Sequence, residues 1–236
     1  MSATVIFRTV FSTIRLSGLT VYEARRGRLD PERADEIIRR WAHVLLEHAK
    51  VEVEVEGISN LNPGEAYVVM SNHQSLYDIP VLLDSLPLTL RMVAKAELFR
   101  VPLWAHAMQA SGFVPVHRGN HMRARQDLKQ AQRAIQRGFS IWIAPEGTRS
   151  PDGNLLPFKM GGFHLASAVN ARILPVTVSG SRLVLPAKSL RINRGRKISV
   201  HVGTPIDPRG FGRHRRQELV DAVRVAIATP LASRDH

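Results

Sequence analysis

An α/β fold is predicted for this 236-residue chain: a mostly parallel or mixed sheet flanked by helices, preceded by an N-terminal amphipathic helical extension. Three observations carry that expectation. The hydrophobic period changes at Val51 from helical spacing to alternation. Seven short apolar or alternating runs follow, and helical patterns fall between several of them. The three most unusual polar segments, SNHQSLYD, HRGNH and APEGTRS, each begin where one of those runs stops, which is where α/β folds gather their sites.

Taken in order, Ile6, Phe7, Val10, Phe11 and Ile14 share one side of a first helix, with Arg8, Thr9, Ser12 and Arg15 largely on the other. Such a helix either packs on its own domain or lies in a membrane interface. The basic stretch EARRGRLD links it to a second helix, for which Asp30 is the expected N-cap, Pro31 the first helical residue and Ile37, Ile38, Trp41 and Leu45 the apolar stripe. We place a domain boundary here, with residues 1–50 as an amphipathic helical membrane-docking segment and 51–236 as the α/β domain.

VEVEVEG then reads as a strand with one wet face, valines on one side and glutamates on the other. AYVVM, LRMVA, GFVPVH, FSIWIA, ILPVTVS and KISVHVG supply the remaining strand candidates. Between the fourth and fifth, Ala124, Leu128, Ala131 and Ile135 form the face of a helix from about His121 to Arg137, stopped by Gly138. A last helix carries Leu219, Val223 and Ile227.

Composition limits the chemistry. With no cysteine, disulfides, thiolate metal sites and a cysteine nucleophile are excluded. There is no run of about 18 apolar residues, because Arg8 and Arg15 interrupt the N-terminal stretch. A net charge of +13 points to acidic partners: nucleic acid, an anionic membrane surface, an acidic carrier or phosphorylated substrates. Against nucleic acid, the basic residues are scattered, no known nucleic-acid-binding signature occurs, and aromatics do not interleave with the basic runs.

His73 and Asp78 are spaced so that a turn leading into a helix brings the carboxylate to one ring nitrogen and leaves the other outward. That is the arrangement of a general base, although the spacing alone equally describes a polar turn, with Asn72 holding it. His117 and His121 have helical zinc spacing, but Gly119 and Asn120 between them argue against a continuous helix. No G-x-S-x-G elbow is present. PEGTRS combines a proline turn, a glycine able to expose backbone N–H groups and an arginine, the parts of an anion site. Arg118 and Lys159 are further candidate cations for it.

His73, Asp78, Arg118 and the PEGTR block, in this order, make the chain resemble the glycerolipid acyltransferase family, of the 1-acyl-glycerol-3-phosphate (lysophosphatidic acid) acyltransferase kind. The likeness runs from about Val51 to Thr204 and takes in the segment around Pro175. It implies direct acyl transfer from a thioester, on coenzyme A or acyl carrier protein, to the free hydroxyl of a lysophospholipid, with no metal or cofactor. By the same resemblance His73 and Asp78 are catalytic, while Asn72, Arg118, Glu146, Gly147, Thr148, Arg149 and Lys159 serve the substrate side. Because the substrates are lipids, the expected location is peripheral or monotopic on the cytoplasmic face of a membrane, and the basic charge suits an anionic surface.

Overall fold

Each of the seven expected strand segments forms a strand, and alternation along them decides which helices cover which face. The computed structural model describes residues 2–117, 121–212 and 214–232. Along it run α1 (Ser2–Arg25), α2 (Pro31–Ala49), β1 (Glu52–Glu56), β2 (Val68–Ser71), α3 (Asp78–Ser85), β3 (Leu90–Lys95), α4 (Trp104–Ala110) and β4 (Val114–Val116). There follow α5 (His121–Gln136), β5 (Ser140–Ile143), α6 (Gly161–Val169), β6 (Ile173–Ser179), α7 (Ser181–Val184), β7 (Lys197–Val202) and α8 (Arg216–Ala232).

The strands make one mixed sheet in the order β1-β7-β6-β2-β5-β3-β4. From β6 to β4 all neighbours are parallel, whereas β7 runs antiparallel to β6 and β1 parallel to β7. Central β2 is wholly buried. Its Val69 joins Ile38, Ala42 and Leu46 of α2 and Leu82 of α3 in one apolar layer, while Val68 and Met70 meet Phe163 of α6 and Val223 and Ile227 of α8 on the opposite face. Each such fully buried aliphatic side chain contributes roughly 1.5–3 kcal/mol. At the edge, β1 keeps its glutamates exposed and its valines half-buried, as one wet face requires.

Helix α2 starts as expected: the Asp30 carboxylate accepts from Arg33 N at 2.7 Å, and Pro31 occupies the first turn. Helix α1 extends through Arg25 and stops at Gly27, whose φ of +65° an L side chain rarely adopts, so the expected basic linker shortens to residues 26–30. Three helices, α4, α6 and α7, have no counterpart in the periodic reading; at 7, 9 and 4 residues they are too short for a helical period to register.

The first 50 residues join the same body in an unequal way. Helix α2 is part of the core layer, and its Asp35 meets Arg91 of β3, a buried guanidinium that also donates to Ser111 O and lies 4.8 Å from the Phe139 ring. Helix α1 packs on α2 and α4 with Val5, Ser12, Leu16, Ser17 and Thr20. Its apolar stripe faces outward: Phe7 is 70% exposed and Phe11 58%, with Val10 and Ile14 also exposed. Val5 and Leu16 thus share the inside of α1 with hydroxyl side chains, and phenylalanines line the outside. Among the described residues no helix is long and apolar enough to cross a membrane.

Candidate active site

Strand β2 ends at Ser71, and the chain turns sharply there because Asn72 substitutes for a strand partner. Its buried amide donates to Val178 O and accepts from Val178 N, both at 2.8 Å, so it pairs with β6 as a peptide group would. Ser71 Oγ accepts from Trp142 Nε1 of β5 at 2.9 Å, and the Trp142 ring meets the His73 imidazole edge to face at 5.6 Å. The loop is therefore fixed against both strands that flank β2.

Asp78, at the first position of α3 and fully buried, reaches back across this loop. Its Oδ2 lies 2.7 Å from His73 Nδ1 and accepts from the amides of Gln74 and Ser75 at 2.8 and 2.9 Å. With Nδ1 engaged, Nε2 is the nitrogen left for chemistry. The histidine side chain is 15% exposed, enough for a substrate atom to reach it and little enough to limit bulk water.

The loop after β5 clamps the histidine backbone from the other side. Glu146 is buried; its Oε1 accepts from His73 N at 2.8 Å and its Oε2 from Leu156 N at 2.9 Å. Burial pushes the Glu146 carboxyl above its ordinary value, and the two amide bonds and the nearby His73 oppose that shift. Ser150 N donates to His73 O at 2.7 Å, and Gln74 Nε2 to Gly153 O at 3.0 Å. Strands β2 and β5 are parallel neighbours whose following helices, α3 and α6, pack on opposite faces of the sheet, so the two loops border a crevice at the carboxyl ends of the strands.

The remaining sequence candidates fall around this clamp. Gly147 turns with φ +71°, and a β-carbon there would sit 2.9 Å from Lys159 Nζ, so the lysine drapes over the turn; Lys159 N also donates to Pro145 O at 2.8 Å. Thr148 is exposed. Arg149 is half-buried, makes no ion pair among the described residues and immediately precedes Ser150, whose amide holds His73. Arg118 and His121's side chain lie outside the described residues. His117 is turned toward Asp127, with both carboxylate oxygens 3.1 Å from Nδ1. Among the described residues no group of three or more metal-ligand side chains assembles.

Several residues that the periodic reading passed over take part. Trp142 and Val178 sit in runs that read only as strand, and Gln74 and Ser75 as turn residues, so nothing local marked them. Arg182 of α7, half-buried and without an ion pair among the described residues, lies 3.4 Å from where a Gly153 β-carbon would be, beside Gln74. A mainly apolar cavity of about 60 Å³ lies between α1, α2, α3, α4 and β3, with Ile79, Leu83, Met92 and Phe113 in its lining; neither His73 nor Asp78 lines it.

Residues 52–179, more than half of the chain, match the sequence pattern of the family described as Acyltransferase. The chain belongs to the Acyltransferase family. This acyltransferase is 33% identical over 79% of its length to mouse 1-acyl-sn-glycerol-3-phosphate acyltransferase alpha, covering 67% of that protein. It is 32% identical to the Brassica napus chloroplastic 1-acyl-sn-glycerol-3-phosphate acyltransferase BAT2 over 72% of its length, and spans about half, 49%, of that relative. The baker's yeast 1-acyl-sn-glycerol-3-phosphate acyltransferase is 32% identical over 79% of this chain and 62% of its own. In structure the acyltransferase resembles the 1-acyl-sn-glycerophosphate acyltransferase PlsC of Thermotoga maritima, with a TM-score of 0.84, 25% identity, and 98% of this chain and 93% of that one covered.

Proposed function

We propose that the protein moves a fatty acyl group from a thioester, acyl-CoA or acyl carrier protein, to the free hydroxyl of a lysophospholipid, with 1-acyl-glycerol-3-phosphate the first acceptor and phosphatidic acid the product. The observation that carries this reading is the 2.7 Å contact of His73 Nδ1 with buried Asp78 at the end of a central strand, which leaves Nε2 free. Nε2 takes the proton of the acceptor hydroxyl as its oxygen attacks the thioester carbonyl. Asp78 holds the tautomer and stabilises the imidazolium. When the tetrahedral intermediate collapses, the C–S bond breaks and the imidazolium returns the proton to the departing thiolate. An ester and a free thiol result. A thioester is already activated, so the balance needs no further reactant.

Arg149 and Lys159, with Arg118, are the cations proposed for the acceptor phosphate. Arg149 has no ion-pair partner among the described residues, and a planar guanidinium matches phosphate in bidentate fashion. Glu146 and Asn72 support the site through the backbone bonds described above rather than by touching substrate. The outward phenylalanines of α1 suit docking on the cytoplasmic face of a membrane, where a basic protein also gains from anionic lipid. The names of the mouse, rapeseed and yeast relatives support the acceptor.

The test pairs the purified protein with lysophosphatidic acid, glycerol-3-phosphate and other lysolipids, each with acyl-CoA and acyl carrier protein donors, and resolves products by thin-layer chromatography. Phosphatidic acid formed only with lysophosphatidic acid is the expected result. Preference for glycerol-3-phosphate or another lysolipid would reassign the acceptor, and no ester product with any pair would overturn the reading.

A further inference from the structure

Residues 186–196, the segment before β7, lie outside the candidate active site, and their backbone is firmly held. Asn193 N donates to Val184 O and Asn193 Nδ2 to Leu183 O; Gly195 N donates to Ala49 O at the end of α2, and Glu52 N to Arg196 O at the start of β1. The side chains are treated differently. Lys50, Lys188, Arg191, Arg194 and Arg196 are all exposed, and none makes an ion pair or side-chain hydrogen bond among the described residues. Leu190 stands among them at 84% exposure, and Leu183 nearby is also exposed. Lys50 and the arginines line an open recess of about 730 Å³, a size within the roughly 300–1,000 Å³ of ligand sites.

Topology puts this segment at the end of the sheet where His73 lies. Because β7 is antiparallel to β6, with Ser179 opposite Ser199, the start of β7 lies beside the carboxyl end of β6. Ser75 Oγ, in the His73 loop, donates to Leu185 O at 2.9 Å. The last turn of α2, which the segment touches, also lies beside the N-terminal half of α1: the two helices run antiparallel, with Glu23 paired to Arg33 and Thr13 Oγ1 accepting from Trp41 Nε1 at 3.0 Å, which carries the start of α1 toward the end of α2. The basic segment, the Phe7–Phe11 side of α1 and the catalytic loop therefore border the same end of the molecule.

We infer that the 188–196 segment is a second bilayer-contact element, whose cations take the phosphates of anionic lipids while Leu190 enters the interface. A leucine flanked by Lys188 and Arg191 has the composition of an interfacial anchor, since long cationic side chains reach to headgroups around a buried apolar tip. The fixed backbone means that little ordering is needed on contact. With α1 it gives the protein two supports at the His73 end, which sets its tilt and presents the crevice to the bilayer. This rests on the reading of the chain as an enzyme acting at a membrane.

The test uses the full chain and flotation with vesicles of phosphatidylcholine alone or mixed with phosphatidylglycerol, at low salt. A cation near an anionic surface contributes about fivefold in binding, so Arg191→Ala/Arg194→Ala/Arg196→Ala is expected to lose roughly a hundredfold on anionic vesicles and little on phosphatidylcholine. Leu190→Ser is expected to weaken binding to both. Turnover of a short-chain soluble acceptor with acyl-CoA should stay unchanged, which also reports a folded protein. Unaltered flotation of both variants would overturn the inference. It would do so in favour of a protein dock if the triple variant then lost turnover with acyl carrier protein but not with acyl-CoA. If Phe7→Ser/Phe11→Ser abolishes flotation while the segment variants float normally, the segment proposal fails and the membrane reading stands.

Discussion

Asp78 Oδ2 accepts three hydrogen bonds, two from backbone and one from His73, so one atom both shapes the loop and orients the base. Asparagine with its carbonyl in that place keeps the amide contacts and loses the charge that balances an imidazolium. We therefore expect Asp78→Asn to fold and to lose kcat heavily, and His73→Ala to lose more, about 100-fold to 10,000-fold or beyond. Steady-state kinetics beside circular dichroism checks both; near wild-type turnover in folded His73→Ala would remove the mechanism. For Arg149→Lys the acceptor KM should rise much more than the donor KM, because an ammonium cannot reproduce a guanidinium fork. Equal rises would take Arg149 away from the phosphate.

Glu146 makes a separate claim on stability. Its two oxygens each accept from an amide, and glutamine has only one carbonyl to offer, so Glu146→Gln should cost about 1–3 kcal/mol. The pH dependence has a definite sign. The folded carboxyl is raised above the ordinary 4.5, so the native state holds its proton longer than the unfolded chain does. That contribution is fully present below the unfolded value and is lost as pH rises through the folded one. The deficit of the glutamine variant in thermal midpoint should therefore narrow as pH rises through that interval. A gap that widens would refute the assignment.

At the scale of elements, α1 is apolar on two sides, with Val5 and Leu16 buried and the Phe7–Phe11 stripe exposed. Ser12, Ser17 and Thr20 face α2 and α4, and Thr13 Oγ1 accepts from Trp41 Nε1 at 3.0 Å, while Phe7 and Phe11 stack at 6.4 Å in the open. Phe7→Ser/Phe11→Ser should therefore leave the melting temperature nearly unchanged, weaken vesicle binding even at low salt, and reduce turnover of bilayer substrates while sparing short soluble ones. A large drop in melting temperature, or equal loss on both substrate forms, would make the stripe a structural face. Helix α2 is the contrasting case: its apolar stripe is inside, and the buried Arg91 held by Asp35 ties it to β3. Breaking such a pair on one side costs about 3–5 kcal/mol, so Asp35→Ala should lower the unfolding midpoint in denaturant far more than the double serine variant.

For the molecule as a whole, a charge of +13 adds a salt-sensitive term to any anionic surface it meets. Screening over about 8 Å at physiological ionic strength separates that term from apolar burial. How much of the molecule was legible in sequence follows the range of the interactions involved. Strand positions, the start of α2, and the pairing of His73 with Asp78 were legible because each depends on neighbours a few residues apart: alternation, an N-cap with proline, a turn entering a helix. The order of the strands was not. Placing β5 between β2 and β3 joins residues some seventy positions apart, such as Val69 and Trp142, and only that pairing sets the PEGTR loop against His73 and turns Glu146 inward to its amide. The same holds for α1, whose stripe is plain in sequence while its outward direction depends on what α2 and α4 present. It holds also for residues 186–196, an unremarkable basic loop until the antiparallel course of β7 carries it to the His73 end. Local periodicity fixes which faces of an element are apolar; which face is covered depends on contacts between distant segments, whose burial is decided by the packed whole.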